Sequence, residues 1–141
     1  MIFHTTSPEE TQAAAAHLAP LLRPGDLLAY RGGMGAGKTT FTAGLARGLG
    51  STAWVSSPTF ALVHQYDGPV PLCHFDMFRI TSMEDLYSTG FFDYLESGAI
   101  LAVEWSENIQ AALPDPHITV EIAMGEGDER TITVTGDDRF L

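Results

Sequence analysis

The residues of this chain best suited to chemistry are Gly32-Gly33-Met34-Gly35-Ala36-Gly37-Lys38-Thr39-Thr40, a run that satisfies G-x-x-x-x-G-K-[ST]. Glycine tolerates positive φ and lets the backbone approach a ligand closely. Successive N–H groups in such a run converge on phosphate oxygens, helped by the positive end of a following helix. Lys38 would then reach the outer phosphates and the Thr39 hydroxyl a magnesium ion. The plain alternative is a glycine-rich turn between a strand and a helix, because glycine is common here at 14 residues. Against it, Lys38 is the only lysine in the chain, and it falls directly after the last loop glycine.

Magnesium takes octahedral oxygen ligands and usually accepts one or two carboxylates besides phosphate and water. Glu104 ends the apolar run Ile100-Leu101-Ala102-Val103, where a Walker-B acid meets the metal or orients the attacking water. It could instead be an edge carboxylate at an exposed strand end. Asp76, in His74-Phe75-Asp76-Met77-Phe78-Arg79, follows another apolar stretch and could reach the same cation, or form a salt bridge with Arg79. His74 and Asp76 are too few for a transition-metal site. His4, His17, His64 and His117 share no spacing and read as surface or packing residues. Ser56-Ser57-Pro58-Thr59 is a hydroxyl-rich stretch suited to sensing a γ-phosphate, with Thr59 its candidate, or it is an ordinary polar turn.

These groups need elements to hold them. Ser7, Pro8 and Glu10 give an N-cap, a proline at the first helical position and a capping-box glutamate for a helix reaching about residue 22. Pro24-Gly25 ends it. Residues 26–31 read as a strand entering the glycine run, and residues 38–49 as the helix leaving it. Residues 60–66 and 70–75 flank the turn signal Asp67-Gly68-Pro69 and predict an antiparallel hairpin. Residues 81–95 look helical with a break at Gly90. Residues 99–105 form a strand buried on both faces, Ser106 caps a short helix that Pro114 stops, and residues 117–124 and 131–135 make a last hairpin.

With 141 residues and 45% hydrophobic side chains, the chain is expected to form a single domain spanning residues 1–141. It has no apolar run long enough to cross a bilayer and no basic-then-apolar leader, which predicts a cytoplasmic protein without a membrane partner. Cys73, the lone cysteine, lies in an apolar stretch and reads as a reduced core thiol. The formal net charge of −11 would repel condensed nucleic-acid phosphates. A local phosphate pocket survives this field because screening acts within about 8 Å at physiological salt.

Taken together, GGMGAGKTT, Ser57-Pro58-Thr59-Phe60, the run from His74 to Arg79 and Val103-Glu104-Trp105 resemble the TsaE family, formerly YjeE, over residues 7–113. The resemblance implies an α/β P-loop NTPase fold, a mixed sheet flanked by helices. It also implies an ATPase using ATP with Mg2+, which acts on a TsaD–TsaB complex in forming threonylcarbamoyladenosine at position 37 of tRNA; tRNA is met only through that complex. Carried over, the nucleotide loop falls on Gly32, Gly33, Met34, Gly35, Ala36, Gly37, Lys38, Thr39 and Thr40. The metal residues fall on Thr39, Glu104 and Asp76; beside this carry-over, the residues read as catalytic candidates are Lys38, Glu104, Asp76 and, from its hydroxyl-rich stretch, Thr59. The segment from Ser7 to Glu9 corresponds to the adenosine contact. Two positions depart from the pattern: Gly33 replaces the usual aspartate of the loop, and Phe78 the usual tyrosine before the arginine.

Three rival readings remain at this level. A guanine-nucleotide switch needs a second lysine for its base-reading motif, which the chain lacks. A small-metabolite kinase usually clamps two phosphorylated substrates with several arginines, whereas Arg47, Arg79, Arg130 and Arg139 are dispersed. A binding module that uses ATP with little turnover differs only in rate. With no evident arginine finger, for which Arg79 is the nearest candidate, the chain alone is expected to turn over slowly.

Overall fold

A computed structural model describes residues 1–33, 35–52 and 63–141. Met34 and the stretch containing Ser57 and Thr59 lie outside the described residues. The strands are β1 (Ile2–Thr5), β2 (Leu27–Arg31), β3 (Val63–Tyr66), β4 (Leu72–Asp76), β5 (Ile100–Glu104), β6 (Ile118–Met124) and β7 (Arg130–Thr135). The helices are α1 (Pro8–Leu18), α2 (Lys38–Gly48), α3 (Met83–Ser88) and α4 (Phe91–Glu96), with short 3-10 turns at Ala19–Leu21, Ser106–Ala112 and Asp138–Phe140.

The seven strands of the described residues form one mixed sheet in the order β1-β7-β6-β2-β5-β4-β3. The four central strands run parallel, while β3, β7 and β1 pair antiparallel at the flanks. Strand alternation divides the core between the two faces. Leu28, Tyr30, Leu72, Ile100, Ala102 and Val120 pack with α1 and α2, whereas Leu27, Ala29, Cys73, Phe75, Leu101 and Val103 pack with α3 and α4. The central strand β5 is buried along its whole length, as its continuous apolar run requires. Among the described residues no helix is long and apolar enough to cross a membrane.

Helices α1 and α2 pack unusually closely. A Cβ on Gly44 would overlap the Gln12 carbonyl oxygen, and one on Gly48 would stand 2.9 Å from the Ala16 Cα, so the small residues of both helices permit backbone contact. Arg47 also donates to the Gln12 side chain across this interface.

The sequence-based reading of the elements needs three corrections. Strand β1 was not anticipated: its four residues pair with β7, a partner roughly 130 positions away along the chain. Ser7 caps α1 by accepting from the Glu10 N–H at 3.1 Å, but the Glu10 carboxylate reaches past Ser7 to the Thr6 N–H at 2.7 Å. The capping box is therefore offset by one residue. At the end of β5, Trp105 and not Ser106 occupies the cap position, with φ 58 and ψ 38.

Candidate functional site

Parallel pairing sets β4 and β5 side by side with Asp76 opposite Glu104, so both carboxylates arrive at the carboxyl end of the sheet at one level. Strand β2, the other neighbour of β5, ends at Arg31 and passes directly into the glycine loop. Open α/β sheets characteristically hold ligands in the crevice beyond these strand ends. Gly37 caps α2 with φ 108, a left-handed conformation that an L side chain adopts only at a cost. That turn brings the positive end of an 11-residue helix to the crevice.

The crevice is a cavity of about 380 Å³ lined by Gly35, Gly37, Lys38, Thr39, Thr40, Asp76, Glu104 and Trp105. The structure thus gathers the loop, the proposed metal hydroxyl and both carboxylates around one space. Lys38 Nζ donates to the Gly32 carbonyl at 3.1 Å, stands 3.9 Å from Glu104 Oε1 and lies 5.9 Å from the Trp105 ring centroid. Lys38 is the one basic side chain among these lining residues. Arg79 does not line the space, and Asp76 accepts from the Phe78 N–H at 3.0 Å rather than pairing with Arg79 among the described ion pairs.

Behind the carboxylates lies a contact that sequence reading missed. His74 is fully buried, and its Nε2 lies 2.8 Å from Glu104 Oε2. An ionised carboxylate only accepts, so Nε2 carries the proton in this bond. His74 Nδ1 is buried and has no partner among the described residues. Glu104 is therefore not a free strand-end carboxylate: one oxygen is held by His74 and the other faces Lys38. Beneath the loop, Tyr30 Oη and Thr42 Oγ1 lie 2.8 Å apart, and Thr42 donates to the Lys38 carbonyl at 2.8 Å. Burial pushes the Tyr30 phenol pKa upward; the Thr42 bond opposes this and the Glu104 charge adds to it.

Trp105 holds its left-handed backbone at the crevice rim, a conformation costing about 1–2 kcal/mol outside glycine. Its ring meets that of Phe78 edge-on at 5.0 Å. The Glu104 carbonyl accepts from the Met77 N–H at 3.0 Å, and Asn108 Nδ2 donates to the Met77 carbonyl at 2.8 Å, which ties the ends of β4 and β5 together.

A second, smaller cavity of about 100 Å³ adjoins the first across Gly35, Gly37 and Thr40, and is completed by Pro8, Thr11, Asp128 and Arg130. Ser7 and Glu9, read as the adenosine contact, flank Pro8 at the start of α1, while Pro8 and Thr11 form the wall. Gly32 serves as the acceptor for Lys38, and Ala36 is buried in the core on the α1 and α2 face of the sheet.

Thr39, Asp76 and Glu104 offer the hard oxygen donors that magnesium prefers. Among the described residues no cluster of three or more His, Cys, Asp or Glu side chains gathers around a point. A cation here would complete its shell from phosphate and water, the usual habit of Mg2+. The residues present therefore fit a phosphate-bound Mg2+.

A strand, a left-handed glycine loop and a helix at the carboxyl edge of a parallel sheet core define a P-loop NTPase fold. The family model for the threonylcarbamoyl adenosine biosynthesis protein TsaE matches residues 5–132, and the chain belongs to that family. It is 43% identical over 135 residues to the TsaE protein of Bacillus subtilis, spanning 94% of this chain and 84% of that one. It is 33% identical over 128 residues to the TsaE protein of Treponema pallidum, spanning 91% and 95% respectively. Among solved structures, Bacillus subtilis YdiB superposes with a TM-score of 0.78 at 34% identity, covering 99% of this chain and 88% of that one.

Proposed function

We propose that this protein is an ATP-binding, Mg2+-dependent ATPase of the cytoplasm. In this reading it supports formation of threonylcarbamoyladenosine in tRNA by acting on a TsaD–TsaB complex, and meets tRNA only through it. The observation that carries the reading is the cavity of about 380 Å³ in which the loop, Lys38, Thr39, Asp76 and Glu104 converge. Family membership supplies the pathway.

In this reading the loop amides and the start of α2 hold the phosphate chain, and Lys38 exchanges the Gly32 carbonyl for the outer phosphates. Thr39, Glu104 and Asp76 would hold Mg2+, which when bound would offset phosphate charge. Glu104, steadied by His74, is placed either to ligate that ion or to orient a water. Its partner bonds fix the carboxylate before any ligand arrives, which lowers the reorganisation needed at the moment of reaction.

Among the described residues lining the cavity Lys38 is the one cation, so this reading calls for an arginine supplied from outside. A finger of this kind is worth about 10³–10⁵ in rate. Turnover should accordingly be slow for the chain alone and rise with TsaD, TsaB and tRNA. Equal rates of phosphate release with and without these partners would count against partner dependence. An ATP-gated module with negligible turnover is favoured instead if bound ATP persists unhydrolysed in the full mixture.

A further inference from the structure

Arg130, at the start of β7, spends its guanidinium on main-chain carbonyls. Nε donates to the Ala36 carbonyl at 2.8 Å and Nη2 to that of Gly35 at 3.3 Å. Nη1 donates to the carbonyls of Gly127 and Glu129, each at 2.8 Å. Four of its five N–H groups are thus committed, two of them to the phosphate loop from a residue 94 positions away in sequence.

A trans peptide is planar, with its C=O and N–H pointing in opposite directions. Fastening the Ala36 carbonyl to Arg130 therefore turns the Gly37 N–H away from the guanidinium. Gly37 has no Cβ to resist rotation, and φ 108 is one of several conformations open to it. Without a brace this peptide could flip and present a carbonyl where phosphate binding needs a donor. The Gly37 N–H itself has no partner among the described residues.

We propose that Arg130 is a positioning residue for phosphate binding: it sets the Ala36–Gly37 peptide plane and brings fixed positive charge to the loop. This inference rests on the nucleotide reading of the loop. It assigns Arg130 to the phosphate chain, although the same side chain also lines the smaller cavity beside Pro8 and Thr11.

The test compares the full chain with Arg130→Met and Arg130→Lys by calorimetric titration with ATP and with inorganic tripolyphosphate. Each titration is run well below the unfolding midpoint of that variant, so a merely less stable fold leaves affinity unmoved. Losing two charge-assisted bonds that orient the loop should weaken both ligands about ten- to hundredfold in Arg130→Met. Arg130→Lys keeps the charge but cannot span both loop carbonyls, and should fall between Arg130→Met and the unsubstituted chain. Should Arg130→Met not fold, that intermediate loss in Arg130→Lys carries the test. Unchanged affinities in the folded variants would overturn the proposal. So would a loss confined to ATP, which would make Arg130 a base or ribose contact. If the unsubstituted chain binds neither ligand, the phosphate-loop reading itself falls and takes this one with it.

Discussion

The bond between His74 and Glu104 makes a prediction about stability that needs no ligand. His74 Nε2 lies 2.8 Å from Glu104 Oε2, the imidazole is fully buried, and the carboxylate is mostly so. Replacing His74 with leucine leaves a buried carboxylate without its donor, which costs about 1.5–3 kcal/mol for a charge-assisted bond. Replacing Glu104 with leucine strands a buried imidazole N–H at about 1–3 kcal/mol. Making both changes removes both partners, so the double variant should be more stable than the two single losses predict. The interaction energy should be about 1.5–3 kcal/mol, read from urea unfolding of all four proteins. The unfolding entropy of 141 residues is about 0.3 kcal/mol/K, so His74→Leu should also lower Tm by about 5–10 °C. Single losses that add to within about 0.5 kcal/mol would refute the claim that this pair is energetically joined.

Four further outcomes are expected. Lys38→Ala should weaken ATP binding about ten- to hundredfold in a calorimeter, because it removes the cavity's one lining ammonium, while Glu104→Ala should lower single-turnover hydrolysis far more than affinity. Gly44→Ala forces a methyl group into the Gln12 carbonyl and should cost about 1–3 kcal/mol or more, seen as a lower midpoint in thermal unfolding. Asp137 gives the pH dependence. Hydrogen bonds from Arg139 hold its carboxyl at about 2, below the ordinary 3.8. Its stabilising contribution is therefore complete above about pH 4 and lost as pH falls towards 2. Asp137→Asn should flatten the stability profile in that window.

Much of the candidate site was legible because binding a phosphate would fix the order of its residues. The glycines, Lys38 and Thr39 must be contiguous for amides, ammonium and hydroxyl to reach one anion, so a linear motif records the geometry. Asp76 and Glu104 were readable separately as polar residues ending apolar runs. Their adjacency was not, because it depends on the parallel register of β4 and β5. His74 was weighed only as a metal ligand beside Asp76, since its partner is 30 residues away and the bond forms across neighbouring strands. Its buried position within an apolar strand was the available signal. Arg130 was set aside as one of several dispersed arginines; only the fold brings it to the Ala36 carbonyl. The cap after β5 was misassigned because serine is the common choice, and nothing local announces that Trp105 adopts a left-handed backbone.

Helices α1 and α2 touch through their backbones at Gly44 and Gly48, so neither has slack to slide along the other. Pro8 and Thr11 on one helix and Lys38 to Thr40 on the other therefore travel as a single block. The facing wall of the crevice is built differently, from the ends of β4 and β5, where Asp76 and Glu104 stand side by side.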